Sequence, residues 1–310
     1  MTSRSSDGKE TTKFGEVIVQ YTPARWWTPG DDRCVRCQLC PRHCRIAPGK
    51  RGWCGVRENR EGTLFSLVYG YPAAVHNDPI EKKPLRRFLP GSRAFSVGTL
   101  GCNLGCVFCQ NDSLSACAPA DTAAIRYVPP EELVALAVEQ KCRSIAYTYN
   151  EPTIFAEYAV DTARLARRAG LKNVFVTNGF ISLEAAAEIY PLIDAANVDM
   201  KGFSEDFYAA MCGGTLQSVL DSVKYFHSLP EKHLELTNLV IPGRNDAPEL
   251  VDAWLDWVGQ NLGFEVPLHF SAYHPAYRFR SAPPTPPETL RSIERHVRER
   301  GFRYVYLGNI

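Results

Sequence analysis

No apolar run in this chain approaches the length that crosses a bilayer, and the opening MTSRSSDGKETTKFGE lacks the apolar core of an export signal. Neither sign of charge is in excess. Lys and Arg number 35 against 34 Asp and Glu, with no basic block or stripe to track a phosphate backbone. Internal repeats are also missing. These absences predict a cytoplasmic protein with no membrane partner and disfavour nucleic acid. At 310 residues, 45% of them apolar, the chain can bury one large domain with a small appendage. The opening residues are small and polar, so 1–30 reads as a flexible tail, 31–92 as a Cys-rich segment with its connector, and 93–310 as the main α/β domain.

Cysteine, by contrast, is abundant. Eleven are present, five between Cys34 and Cys54 and three between Cys102 and Cys109, with Cys117, Cys142 and Cys212 alone. A chain this long without an export signal is a poor candidate for a disulfide scaffold, so the clustering points to metal. The isolated three read as small buried residues.

From Arg93 short β-branched or aromatic runs alternate with helical patterns, which predicts a parallel sheet. Strands fit 94–100, 144–149, 173–178, 197–200, 234–241, 268–273 and 304–308; helices fit 130–140, 153–170, 183–190, 216–229, 249–261 and 287–301. The second helix shows one apolar face, Phe155, Tyr158, Ala159, Thr162, Leu165 and Ala166. Six or seven βα units are fewer than a closed barrel's eight, so an incomplete, splayed barrel follows, with loops after the strands lining its mouth.

The stretch TLGCNLGCVFCQN follows the first of these strands and holds Cys102, Cys106 and Cys109. Electron-carrying iron–sulfur cubanes use four thiolates. Three leave one iron open to a substrate or cofactor. Zinc is the alternative metal, although C-x3-C-x2-C is not a usual zinc spacing and no histidine is near.

This C-x3-C-x-aromatic-C pattern, with Phe108 before its last cysteine, resembles the radical SAM superfamily. The segments DPIEKKPLRRFLPGSRAFSVGTLGCNLGCVFCQN, YTYNEPT, FVTNGF, NVDMKGF and LVIPGRND narrow the resemblance to the radical SAM proteins of the AmmeMemoRadiSam system, relatives of the glycyl-radical-enzyme (pyruvate formate-lyase) activating enzymes. It runs from about Cys37 to the end. The resemblance implies a partial (β/α)6-type TIM barrel and a 4Fe-4S cluster on Cys102, Cys106 and Cys109 that chelates S-adenosylmethionine. One electron from a flavodoxin- or ferredoxin-type donor then yields a 5′-deoxyadenosyl radical, which takes hydrogen from a substrate, a protein residue being one candidate.

The resemblance also implies cofactor contacts at Phe108, Asn150, Glu151, Asn178, Asp199 and Lys201. Where the activating enzymes read Gly-Gly-Glu, this chain has Tyr149–Asn150–Glu151. A carboxylate at a helix start also suits the macrodipole, which is the plainer reading of Glu151. Asp199 and Lys201, two apart on a strand, share a face. They match the Asp-x-Lys of the activating enzymes and, with His269, are the catalytic candidates; their plain alternative is a structural ion pair. His269, Tyr273 and His274 are candidates for the mouth, though a lone strand histidine is more often a satisfied core residue.

Any four of Cys34, Cys37, Cys40, Cys44 and Cys54 could close a tetrahedral site. The resemblance selects Cys37, Cys40, Cys44 and Cys54. Zinc and a second Fe–S cluster fit the spacing comparably, a structural metal being preferred. Competing functions are a glycyl-radical-enzyme activating enzyme, a zinc-binding interaction module, and, disfavoured by charge, a tRNA-modifying enzyme.

Overall fold

Small or polar residues alternate with large apolar ones along the strands after residue 92, and the alternation decides which face of the sheet turns inward. The computed structural model describes residues 2–4, 10–14, 17–116 and 124–310. Its N-terminal strands are β1 (Thr2–Arg4), β2 (Glu10–Phe14), β3 (Val17–Pro23), β4 (Trp27–Pro29), β5 (Val35–Cys37), β6 (Arg45–Ile46), β7 (Arg57–Arg60), β8 (Thr63–Ser66) and β9 (Ala74–Pro79). Strands β1, β2, β3, β8 and β7 make one antiparallel sheet in that order, and β4, β5 and β6 another around the cysteine run.

Within the span expected to be a flexible tail, the described residues form strands β1 to β4. In VIVQYTP β-branched residues recur at alternate positions, and Thr22 and Pro23 pair with Ser66 and Phe65. Composition alone does not reveal a partner more than forty residues away.

The main sheet holds the seven expected strands: β10 (Arg93–Gly98), β11 (Ser144–Tyr147), β12 (Lys172–Thr177), β13 (Ala195–Asp199), β14 (His233–Val240), β15 (Leu268–Ala272) and β16 (Val305–Gly308). Each is parallel to the next. Strand β9 adds itself antiparallel to β10, so the sheet begins one strand earlier than the expected boundary at residue 93. Strands β9 and β16 are its two edges, and the barrel is open. The helices are α1 (Asp112–Ser115), α2 (Pro130–Glu139), α3 (Ala156–Arg168), α4 (Leu183–Ile189), α5 (Glu205–Phe207), α6 (Leu216–Ser228), α7 (Pro248–Asn261) and α8 (Pro287–Glu299). The helix at α3 buries the face expected of it, with Leu165 at its margin.

Phe95, Val97, Ile145, Tyr147 and Phe175 point outward into the core beneath the helices. Ala94, Ala146, Val174 and Ala195 point inward near the strands' starts, where Ile80 and Leu85 of the connector pack on them as a plug. A closed barrel fills its interior with layers of large branched side chains. Here the inward residues are small or polar, which leaves space above the plug.

One layer above that plug, Glu235 is fully buried. Its carboxylate meets His233 Nε2 at 2.8 Å and His269 Nε2 at 2.6 Å, and accepts the backbone N–H groups of Arg86 and Arg87. The expectation that His269 serves the mouth is thus corrected: it lies too deep, as a satisfied partner of Glu235. Tyr273 donates to the Phe279 carbonyl and His274 is exposed beside the Asn309 carbonyl.

Burial opposes ionisation of Glu235, but the two histidines and two N–H groups hold its carboxyl down at about 2 against an ordinary 4.5. A depressed folded-state value means stability that is complete above pH 4.5 and lost as pH falls toward 2. Glu235→Gln is expected to lower unfolding free energy at neutral pH by about 2–3 kcal/mol and to flatten that acid limb, as read by urea unfolding across pH.

Candidate active site

The chain leaves β10 through Thr99 and turns at Gly101, whose φ of +88° favours glycine; a Cβ there would also sit 2.6 Å from the Cys54 carbonyl. The turn delivers Cys102, Cys106 and Cys109 to the wall of a cavity of about 780 Å³ at the C-terminal ends of the strands. Phe108, Asn150, Glu151, Asn178, Asp199 and Lys201 line the same cavity. Every candidate drawn from the sequence around the three-cysteine loop is therefore brought together, and His269 is not.

Several of these side chains are already engaged with one another. Asn150 donates to Thr99 Oγ1 (3.1 Å) and to the Gly101 carbonyl (2.9 Å), and accepts the Thr99 N–H (3.1 Å), which pins the loop to the end of β11. Glu151 Oε1 accepts from Thr153 N (2.9 Å) and Thr177 Oγ1 (2.7 Å), and Oε2 accepts from Asn178 N (2.7 Å). The helix-start reading of Glu151 thus holds as well: it caps the turn Pro152–Phe155. Burial raises its carboxyl against those three donors. Oε2 has one protein donor and accepts more than one, so it keeps capacity toward the cavity. Asn178 in turn donates to Asn103 Oδ1 (3.0 Å) and lies 3.8 Å from Cys102 Sγ.

Lys201 Nζ and Asp199 Oδ2 are 2.7 Å apart. Burial works against the Lys201 ammonium, but Asp199, then Cys106, hold it charged well above the usual lysine range. Phe108 is buried against Phe207, ring centroids 5.9 Å apart.

The cavity also has a wall that sequence reasoning missed. Tyr149 adopts φ +72° where the resembled enzymes have glycine. Its hydroxyl donates to Asp78 Oδ2 (2.7 Å) and lies 3.0 Å from His76 Nδ1. Buried Lys83 reaches the same carboxylate at 2.8 Å and sits over the Tyr149 ring. These partners, all on β9 or the connector, hold a bulky residue in a backbone state it seldom adopts.

Cys212 was missed too. It is buried as expected, yet its thiol acts on Cys106, and that influence, with Lys201 behind it, lowers Cys106 against the cost of burial. The segment carrying it is laced to the loop: Gly105 N donates to the Cys212 carbonyl (2.8 Å) and Val107 N to that of Met211 (2.9 Å). The two glycines after Cys212 were the available signal. Cys142 is buried elsewhere, and Cys117 lies outside the described residues.

Three soft thiol donors on one wall, with the Leu104 N–H aimed at Cys102 Sγ from 3.4 Å, suit an iron–sulfur cluster and not a hard cation. Across Gly101, Cys37, Cys40, Cys44 and Cys54 surround a second, far smaller cavity of about 20 Å³, and Cys34 is not part of it. Burial, then the crowding of Cys37, Cys54 and Cys44, pushes the Cys40 thiol up to about 12. A metal held there takes the thiolate form of these cysteines, so its binding would release their protons.

Residues 96–254 match the model of the radical SAM superfamily. The chain is 42% identical over 280 residues to the uncharacterized protein MJ0808 of Methanocaldococcus jannaschii, spanning 90% of this chain and 83% of that protein. It is 26% identical over 180 residues to the GTP 3′,8-cyclase of Limosilactobacillus fermentum, 56% of this chain and 52% of that one. Among solved structures, a radical SAM methyltransferase from Sphaerobacter thermophilus superposes with a TM-score of 0.52 at 14% identity, covering 93% of this chain and 77% of that chain. Streptococcus suis SuiB bound to S-adenosylmethionine gives 0.54 at 14% identity, covering 68% and 49%.

Removing the Asn150 side chain leaves buried backbone groups of Thr99 and Gly101 without partners. Asn150→Ala is expected to lower stability by about 1–3 kcal/mol and to speed amide exchange at Thr99, measured by denaturant unfolding and hydrogen exchange.

Proposed function

This chain belongs to the radical SAM superfamily of enzymes, and we propose that Cys102, Cys106 and Cys109 hold its 4Fe-4S cluster while Glu151, Asn178 and Lys201 hold S-adenosylmethionine. The observation that carries this reading is the convergence of all six on one cavity at the strands' C-terminal ends. When bound and reduced, the cluster supplies cleavage of S-adenosylmethionine to methionine and a 5′-deoxyadenosyl radical, which removes a hydrogen atom from substrate. A flavodoxin- or ferredoxin-type protein is the proposed electron donor.

The chain's own residues have distinct tasks. Lys201, kept charged by Asp199, offers an ammonium to the methionyl carboxylate. Glu151 Oε2 offers the opposite charge to the methionyl amine, and the donors it already accepts keep it fixed as it does so. Asn150 holds the cysteine loop in register with β11. Cys37, Cys40, Cys44 and Cys54 make the second metal site, read as structural: it closes a segment with little core of its own. The family makes the chain an enzyme, so an interaction module built only on zinc is set aside. A protein residue is the hydrogen donor we favour, because Trp53, which lines the cavity, stands 60% exposed as an apolar surface for a docking chain. In the same fold, SuiB has been solved with a precursor peptide.

Protein reconstituted with iron and sulfide without oxygen, then reduced, should release 5′-deoxyadenosine from S-adenosylmethionine. The Cys102→Ala, Cys106→Ala, Cys109→Ala triple variant should fall to background; equal yield from both proteins would refute the assignment. Iron and zinc analysis of that variant identifies the metal on the other four cysteines. Lys201→Met should weaken S-adenosylmethionine binding about 10- to 100-fold, the worth of one charge-assisted hydrogen bond, by equilibrium dialysis.

A further inference from the structure

Arg42 stands between Cys40 and Cys44 in sequence and between the two cysteine groups in space. Its Nε donates to the Asn103 carbonyl at 2.6 Å, and Nη2 to the carbonyl of Gly213. Asn103 directly follows Cys102, and Gly213 directly follows Cys212, whose carbonyl accepts the Gly105 N–H of the same cysteine loop. The guanidinium lies 4.0 Å from the centroid of the Trp53 ring, with Phe180 at 5.7 Å. Among the described residues no carboxylate comes within ion-pair distance of it. Arginine is suited to this place, since one rigid fork serves two carbonyls while its face stacks on an indole.

We infer that Arg42 is a positioning residue shared by the two centres: it fixes the Cys102 loop by two carbonyls and sets a permanent positive charge beside it, easing one-electron reduction of the cluster the loop carries. The inference rests on the iron–sulfur reading above. The electron comes from the external flavodoxin- or ferredoxin-type donor, and no bond to Arg42 forms or breaks. A fixed cation favours the more negative, reduced state of a nearby cluster.

The test is an anaerobic redox titration of the full-length reconstituted protein followed by electron paramagnetic resonance. The signal that changes when S-adenosylmethionine is added reports the cluster on Cys102, Cys106 and Cys109 alone. Arg42→Gln, which keeps N–H donors but no charge, should move the reduction equilibrium about tenfold toward the oxidised form, ~59 mV for one electron, whereas Arg42→Lys should stay within about twofold of the unsubstituted protein. A cluster kept with lysine and lost with glutamine also supports the role of charge. Equal potentials in all three proteins overturn the inference, as does loss of the cluster from both variants, which reduces Arg42 to a clamp. If the unsubstituted protein gives no signal that responds to S-adenosylmethionine, the iron–sulfur reading itself fails and this inference falls with it.

Discussion

The carboxylate of Glu151 takes the Thr177 hydroxyl and two backbone N–H groups from separate turns, and beside it Asn150 grips both ends of the turn at Gly101. From this pair a line of hydrogen bonds runs through Asn178 to Asn103, and from the Asn103 carbonyl to Arg42. The ends of β10, β11 and β12 and the Cys-rich segment are thereby referred to one another. Loops that hold cysteines to a metal have to be positioned to within fractions of an ångström, and a chain of buried, mutually satisfied polar groups does this where apolar packing would allow slippage.

A second constraint is the size of what points inward. Large side chains on the inner faces would have produced a packed barrel with its function confined to surface loops. Instead, the outward faces of the same strands carry Phe95, Tyr147 and Phe175, so the stabilising core lies beneath the helices. Stability and vacancy are allotted to opposite faces of one sheet, and a residue's parity along its strand decides which it serves.

That parity is a local property, which is why so much of the barrel was legible. Seven parallel strands, six of the helices and the cysteine loop follow from spacing alone, and the residues after β10, β11, β12 and β13 met at one cavity. What escaped depends on pairings remote in sequence. His269 has the right parity, but its depth is fixed by its neighbour Glu235 on β14, which the pattern around it does not show. Strand β3 is different: its main partner β2 is adjacent, and it was hidden by the small polar residues before it, with only Thr22 and Pro23 pairing far away in β8. Cys212 looked like an isolated thiol because Cys106 is more than a hundred residues earlier. Arg42 was one basic residue among several near the cysteines, and only the fold shows which one turns toward the barrel.

Ile80 and Leu85 stopper the chamber at its lower end. With its floor closed, the chamber is reached from the strands' C-terminal ends, where the cysteine loop stands, or through the gap between the edge strands β9 and β16. The same stopper keeps bulk water from rising between the strands from below, so one short connector decides from which end the chamber is filled.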